Sequence, residues 1–270
     1  MNLTKLNPVF PLAPKPYVFC DDTSVIGSTF YVMERKEGVV LNADFPSGYT
    51  PTLELGHKLS YAVVDTLVQL HDVEYQSAGL SEFGRPEGFL SRQVNGWIER
   101  YRRARTDDVP YAEKVMAWLV NKLPESPNRA VIHNDYKLNN ILFDAADLSK
   151  ATAVVDWEMA TIGDPLMDVA ITLSYWVELS DPEDLKDVLP TVTSSGYFIS
   201  RDDFLQRYSK KSGRDVSNMD FYMVFAYFKL AVILQQIYFR WKRGQTKDER
   251  FATFGLRVHN LLEHAAQLLA

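Results

Sequence analysis

The sequence contains little that would build a disulfide-stapled or nucleic-acid-binding protein. Its one cysteine, Cys20, excludes an internal disulfide, and no Cys/His spacing suggests structural zinc. Low cysteine content is typical of the reducing cytoplasm, where we expect the chain. Basic residues are also few, since 29 lysines and arginines face 35 aspartates and glutamates in 270 residues. The net charge of −6 disfavours a broad basic face, so we predict no nucleic-acid partner.

Long uninterrupted apolar runs are lacking as well. The first five residues carry no apolar run of the kind found in a signal peptide. The longest apolar stretch, residues 221–239, is interrupted by Lys229, Gln235 and Gln236. We therefore interpret it as a buried core helix rather than a membrane span, and we expect no membrane partner.

Hydrophobic patterning predicts a small β-containing start and a mostly helical body. Residues 17–20 and 30–33 are rich in β-forming side chains and predict a hairpin-like pair of strands. Asp164 and Pro165 have the residue types of an N-cap and a first helical turn. Helices are predicted at residues 53–70, 90–104, 111–123, 165–176, 201–211, 217–241 and 247–269, and short strands at 130–132, 141–143 and 153–155.

The segment from residue 133 to residue 168 contains the candidate catalytic and metal-binding residues. Asp135 and Asp156 each follow an apolar strand segment, and Asn140 precedes one. Side chains at strand ends lie on a rigid scaffold that a ligand can approach. Two carboxylates and an amide oxygen are hard ligands, which suit Mg²⁺ better than zinc. A carboxylate outside the metal shell can orient or deprotonate a hydroxyl, so the set contains the parts that phosphoryl transfer needs.

The pattern His133-x-Asp135-x₄-Asn140, with Asp156 after a later hydrophobic strand, resembles a known family. It is similar to the catalytic and metal-binding loops of aminoglycoside phosphotransferase-like small-molecule kinases. Order, spacing and strand context match together, which is far more specific than His-x-Asp alone. The resemblance implies a protein-kinase-like α+β fold. It divides the chain into a reduced β N-lobe with the hinge, residues 1–38, and a large, mostly helical C-lobe, residues 39–270.

Matched position by position, the resemblance implies roles for individual residues. Asp135 would be the catalytic base or hydroxyl-orienting carboxylate, and His133 a structural member of the catalytic loop. Asn140 and Asp156 would hold Mg²⁺. Asp168 would brace the catalytic loop from the start of a helix.

The resemblance also implies the substrates. Residues 30–35 are similar to the strand that enters the kinase hinge, so the backbone around Met33, Glu34 and Lys36 would contact the adenine of ATP. Residues 79–86, 92–97 and 244–251 resemble the branch of the family often found fused to acyl-CoA dehydrogenases. The expected reaction moves the γ-phosphate of ATP to a small-molecule hydroxyl, with a hydroxyacyl-CoA as one candidate acceptor.

The chain departs from the family pattern before the hinge-like strand. Only 29 residues precede Phe30, they contain one glycine, Gly27, and neither a Gly-rich loop nor a strand lysine is found among them. Two interpretations stay open: further upstream residues belong to the protein, or a short form acts as a weak kinase, a pseudokinase or a binding module. A metal-dependent hydrolase built on His133 and Asp135 is a third alternative. Because a reduced lobe exposes sheet edge and apolar surface, we expect marginal stability or self-association.

Overall fold

The N-terminal part of the molecule is a short helix followed by a two-stranded antiparallel sheet. The computed structural model describes residues 3–126 and 128–269. Helix α1 (Leu3–Leu6) leads into β1 (Pro16–Cys20), which pairs with β2 (Phe30–Met33) through Phe19 opposite Tyr31. The predicted hairpin-like pair is therefore confirmed.

Two further sheets lie at the centre of the fold and position residues 133–168, the segment that contains the candidate site residues. Strand β3 (Val39–Val40) pairs with β5 (Ile141–Phe143), which pairs in turn with β6 (Ala151–Val154). Strand β4 (Ala130–Ile132) pairs with β7 (Thr161–Gly163). All pairings are antiparallel. The loops that follow β4 and β6, and the turn that precedes β5, hold the residues singled out by the sequence.

Helices make up most of the remaining molecule. Helix α2 begins at Thr52, whose side chain accepts the N–H of Leu55, and α5 begins at the predicted cap Asp164, which accepts the N–H of Leu166. The helices are α2 (Leu53–His71), α3 (Phe89–Ala104), α4 (Ala112–Asn121), α5 (Pro165–Ser174), α6 (Glu183–Val188), α7 (Arg201–Ser212), α8 (Met219–Lys242) and α9 (Phe254–Gln267).

Helix α8 forms the centre of the helical body. It is long and apolar enough to cross a membrane, yet 72% of its most apolar window is buried inside the fold. It packs against α9, α5 and α3. The apolar stretch is thus a core helix, as its interrupting polar residues predicted, and it holds the charged side chain of Lys229 inside the protein.

The β1–β2 sheet exposes apolar side chains to solvent. Phe19 and Tyr17 are each more than 60% exposed, Val18 and Val32 are close to half exposed, and Ile26 in the connection between the strands is 62% exposed. Apolar residues concentrated on a sheet with free edges favour association. The predicted self-association through this N-lobe surface stays a prediction.

We expect the chain to self-associate through this sheet. Light scattering across a concentration series is predicted to report a rising mean mass, and Phe19→Ser is predicted to reduce it by shrinking the apolar patch. A similarly exposed apolar side chain elsewhere, Leu256 (65% exposed), provides the matched control Leu256→Ser. A monodisperse monomer at high concentration would contradict the expectation.

Candidate active site

The loop after β4 is held in an unusual backbone conformation by a buried carboxylate. Asn134 has a φ of 66°, in the left-handed region that asparagine tolerates better than most residues. The fully buried Asp168, in the first turn of α5, accepts the backbone N–H groups of both His133 and Asn134. The next residue is Asp135, so this turn sets the direction in which the carboxylate of Asp135 leaves the loop.

Asp168 also joins a buried histidine contributed by α2. His71 Nε2 lies 3.4 Å from the Asp168 carboxylate, and His71 Nδ1 lies 2.8 Å from the hydroxyl of Tyr208. Burial alone would raise the pKa of Asp168, but hydrogen bonds from His71 and the loop N–H groups hold it below its usual value. Burial lowers the pKa of His71. The pair is therefore an ionised carboxylate beside a neutral imidazole.

His133 uses both ring nitrogens inside the fold. Its Nδ1 accepts the backbone N–H of Asp135 at 3.3 Å, so its Nε2 carries the proton and donates to the carbonyl of Val155 at 2.9 Å. The ring is fully buried and packs against Trp157, with 4.7 Å between ring centroids. Burial lowers the pKa of His133. These contacts favour a structural rather than a proton-transferring role.

The buried neutral histidines give stability a predictable pH dependence. Burial lowers the pKa values of His71 and His133. Below about pH 6.5 these histidines therefore bind protons in the unfolded chain but stay neutral in the folded chain. The free energy of unfolding is therefore expected to fall as pH drops from 6.5 towards 5. The slope approaches about 1.4 kcal/mol per pH unit for each histidine.

Urea unfolding at several pH values between 5 and 8 measures this dependence. His71→Gln is expected to flatten the slope even though it lowers stability at every pH. The control is His57→Gln on the same helix, where the histidine is only partly buried. An identical slope in wild type and His71→Gln would contradict the assignment.

Asp135 lies at the centre of a small polar cluster. Lys137 Nζ is 2.9 Å from one Asp135 carboxylate oxygen and 2.8 Å from the other. The side-chain amide of Asn140 donates to the Asp135 carbonyl at 2.8 Å and to its carboxylate at 3.1 Å. With its N–H groups committed, Asn140 retains Oδ1 as an acceptor. Motif spacing pointed to Asp135 and Asn140 but gave no role to Lys137, which lies between them.

Asp156 follows strand β6, whose partner strand β5 begins directly after Asn140. The backbone N–H of Val155 donates to the carbonyl of Asn140 at 2.9 Å, which ties the two loops together. Asp156 has a φ of 70°, is exposed, and makes no ion pair within the described residues. An exposed carboxylate without a cationic partner and a nearby amide oxygen fit a hard divalent cation.

This donor set is too small to bind a metal firmly by itself. Across residues 3–126 and 128–269, no three His, Cys, Asp or Glu side chains gather as a metal site. Mg²⁺ is commonly held by one or two protein oxygens together with phosphate oxygens and water, so Asn140 and Asp156 suffice in that setting. The described residues also contain no cluster of metal ligands around His133, so nothing in them supports the alternative of a metal-dependent hydrolase.

Some backbone groups of the hinge-like segment already form hydrogen bonds within the protein. The N–H of Glu34 donates to the carbonyl of Lys15 at 2.7 Å. The Glu34 carboxylate pairs with Lys36 at 3.0 Å, and the Lys15 N–H together with Lys36 lowers its pKa. Met33 is exposed. The adenine contact predicted for Met33, Glu34 and Lys36 would therefore use backbone groups other than the Glu34 N–H.

Two cavities border the loop that carries Asp135, and Asp135 itself lines the smaller one. A cavity of about 310 Å³ borders Lys137 and Asn139 and has a mostly apolar lining, with Leu41, Leu138, Trp176, Val188 and Leu189 among its residues. A smaller one, about 30 Å³, lies between the catalytic loop and α8 and is lined by Asp135, Asn134 and Lys229. The larger cavity can receive a small molecule, and both reach the loop that carries Asp135.

Comparisons with known proteins identify the family of the chain. Residues 2–190 match the model of the phosphotransferase enzyme family, APH. Acyl-CoA dehydrogenase family member 11 of Pongo abelii is 35% identical over 263 residues, covering 96% of this chain and 33% of that protein. The Homo sapiens protein of the same name is 33% identical over 268 residues, with the same coverage. The chain thus spans about a third of the length of these curated relatives.

Solved structures resemble the whole chain. A Ralstonia eutropha protein provisionally named an aminoglycoside phosphotransferase has a TM-score of 0.85 at 25% identity, covering 99% of this chain and 81% of that one. Aminoglycoside phosphotransferase APH(4)-Ia, in a ternary complex with AMP-PNP and hygromycin B, has a TM-score of 0.64 at 16% identity, with coverage of 100% and 82%. Choline kinase LicA of Streptococcus pneumoniae has a TM-score of 0.59 at 17% identity, with coverage of 98% and 78%. The chain belongs to the phosphotransferase enzyme family, APH, and has its protein-kinase-like α+β fold with a reduced sheet lobe.

Proposed function

We propose that the protein transfers the γ-phosphate of ATP to a hydroxyl of a small molecule. The observation that carries the proposal is the joint arrangement of Asp135, Asn140 and Asp156. The side-chain amide of Asn140 donates to Asp135, which leaves its oxygen free to accept, and a backbone bond from Val155 ties Asn140 to the loop of the exposed, unpaired Asp156. One side of the cluster is suited to a metal-bound phosphate and the other to a hydroxyl.

Asp135 acts as the general base towards the acceptor hydroxyl. Its carboxylate takes the proton of the acceptor hydroxyl as the hydroxyl oxygen forms its bond to the γ-phosphorus. The bond between that phosphorus and the bridging oxygen breaks, and ADP leaves with the bonding electrons. Lys137, already beside Asp135, supplies a positive charge that the transferring phosphoryl group can share.

Asn140 and Asp156 would hold Mg²⁺ against the nucleotide phosphates. The bound metal supplies charge neutralisation on the phosphate oxygens. Fixed geometry favours this assignment: the Val155 N–H bond to the Asn140 carbonyl keeps the two residues at adjacent strand ends. The complexes of APH(4)-Ia with AMP-PNP and with ADP support nucleotide binding by this fold.

The acceptor class is proposed from the cavity and the relatives together. The lining of the 310 Å³ cavity is mainly apolar, which favours an acceptor with a hydrocarbon portion. The curated relatives are named as acyl-CoA dehydrogenase family members. A hydroxyacyl-CoA satisfies both observations, whereas a polycationic sugar would leave charge against an apolar wall.

Acceptor-dependent release of ADP tests the proposal. Hydroxyacyl-CoA thioesters are expected to stimulate release in the presence of Mg²⁺, while the same acyl-CoA without the hydroxyl, choline and hygromycin B are not. Nucleotide binding without stimulation by any hydroxylated acceptor would instead favour the binding-module alternative. That alternative is motivated by the exposed apolar side chains of the β1–β2 sheet.

The metal assignment makes a separate prediction. Asp156→Asn keeps the size of the side chain and tolerates positive φ, but removes the charge. We expect Mg²⁺-dependent ADP affinity to fall by about 10–100-fold, a range typical when a metal site loses a supporting group. Affinity measured in EDTA should stay unchanged. Glu158→Gln, an exposed carboxylate in the same loop, is the control, and calorimetry is the measurement. Equal effects of the two variants would remove Asp156 from the metal site.

A further inference from the structure

Lys229 is a buried cation in the mostly apolar central stretch of α8. It is 5% exposed and is the only charged residue between Phe221 and Phe239 of α8. Burying an ammonium group is costly unless a carboxylate or hydrogen bonds compensate it. Among the described residues, no carboxylate lies within ion-pairing distance of Lys229. A buried ammonium group that has no carboxylate partner is a candidate for a functional role.

The contacts of Lys229 lead to the catalytic loop. Its Nζ donates to the carbonyl of Asn134 at 2.9 Å and lies 5.5 Å from the ring centroid of Trp97. The Asn134 carbonyl belongs to the same peptide unit as the N–H of Asp135, and that N–H donates to His133. Because a peptide unit is planar, hydrogen bonds at both its carbonyl and its N–H fix its orientation and with it the position of the Asp135 Cα, from which the side chain extends.

The same peptide unit follows a strained residue. Asn134 has positive φ, and its buried Oδ1 has no hydrogen-bond partner within the described part of the chain. Such a conformation costs about 1–3 kcal/mol and persists only where its surroundings hold it. Asp168 holds the N–H of Asn134, the Met159 carbonyl holds its side-chain amide, and Lys229 holds its carbonyl. Lys229 and Met159 of this set also line the 30 Å³ cavity with Asp135, and Lys229 is the one that holds the Asn134 carbonyl through its side chain.

We propose that Lys229 is a positioning residue for phosphoryl transfer, which acts by holding the Asn134–Asp135 peptide so that the Asp135 carboxylate meets the acceptor hydroxyl. This inference rests on the proposed function and adds a residue from a different helix to it. Burial lowers the pKa of Lys229 to about 8, and the carboxylates of Asp168 and Asp135 oppose that shift.

Lys229→Met tests the proposal because methionine fills similar space without a donor or charge. We expect kcat to fall by about 100-fold, the loss typical of a displacement of about 1 Å at a reacting group, with the KM for Mg·ATP within about threefold of wild type. The matched control is Gln235→Met. Gln235 is equally buried on α8, but it donates to Ala104 and Thr106 rather than to the catalytic loop. This control should keep kcat.

Amide hydrogen exchange separates this proposal from the proposed function. In Lys229→Met, the amides of Asn134 and Asp135 are expected to exchange at least tenfold faster than in Gln235→Met at matched stability. If wild type transfers no phosphate, the proposed function fails, and exchange alone decides whether Lys229 holds the loop. If Lys229→Met does not fold, Lys229→Gln replaces it in both experiments. Because glutamine keeps a hydrogen-bond donor, we expect the same changes in kcat and in amide exchange, but smaller ones. A kcat within threefold of wild type, or unchanged exchange, overturns the proposal.

Discussion

Replacing Asp135 with asparagine is expected to lower kcat by about 10²–10⁴-fold, the range that a positioned general base contributes. The KM for Mg·ATP should change little, because the nucleotide is assigned to Asn140, Asp156 and the hinge. Asparagine keeps the shape of the side chain and can still meet Lys137 and Asn140, both of which contact the Asp135 carboxylate. The loss would therefore report the missing proton acceptor rather than a collapsed loop.

Asp202→Asn is the control for this substitution. Asp202 is an exposed carboxylate in the first turn of α7, far in sequence from the catalytic loop. Its kcat should equal that of wild type. Steady-state ADP release with a hydroxylated acceptor measures both variants. If Asp135→Asn kept kcat within about threefold of wild type, Asp135 would not be the base.

Replacing Asp168 with alanine is expected to lower the free energy of unfolding by about 2–6 kcal/mol. The carboxylate is fully buried and accepts the N–H groups of His133 and Asn134. Without it, two buried backbone donors lose their acceptor, and each such loss costs about 1–3 kcal/mol. The same change releases the turn that directs Asp135, so any folded fraction should also have a reduced kcat.

Urea unfolding at pH 7 compares this variant with Asp202→Ala, which removes another acidic residue from a first helical turn. The control should change stability by no more than about 0.5 kcal/mol, as is usual for surface substitutions. Asp168→Asn retains one acceptor oxygen and should be intermediate. A loss below about 1 kcal/mol for Asp168→Ala would mean that the loop N–H groups find other partners, and the bracing role would be wrong.

Local patterns predicted the elements that local chemistry decides. The strand pair at residues 17–20 and 30–33 and most helices follow from side-chain periodicity, and Asp164 caps α5 as its residue type indicated. The helix predicted at residues 247–269 is instead a 3₁₀ turn, Glu249–Thr253, followed by α9. Asp248 explains the difference, because its side chain accepts the N–H of Arg250 and starts the tighter turn.

The elements missed by the sequence depend on partners elsewhere in the fold. Strand β7, Thr161–Gly163, has no alternating pattern and exists because β4 lies beside it. Glycine lets the strand pack closely there, since a Cβ on Gly163 would lie 2.5 Å from Ile132 Cδ1 and 2.7 Å from the Phe89 ring, and both side chains would have to shift.

The sequence likewise predicted one part of the candidate site and missed another. Motif spacing singled out Asp135, Asn140 and Asp156, and the fold brings Asn140 against Asp135 and ties it to the Asp156 loop. His71 and Lys229 escaped notice as site residues because they lie on α2 and α8, far along the chain from residue 135. The one available signal was the charge of Lys229 within an apolar stretch. Long-range contacts of this kind follow from helix packing, which no local pattern specifies.

A single-turnover reaction, read by mass spectrometry of the acceptor, tests the central claim most directly. The protein is mixed with ATP, Mg²⁺ and a hydroxyacyl-CoA, and the acceptor is examined for one added phosphoryl group. We predict the addition with wild type and with Asp202→Asn, and its loss with Asp135→Asn. An acceptor that stays unmodified in the presence of bound Mg·ATP, or one modified equally by Asp135→Asn, would contradict the account.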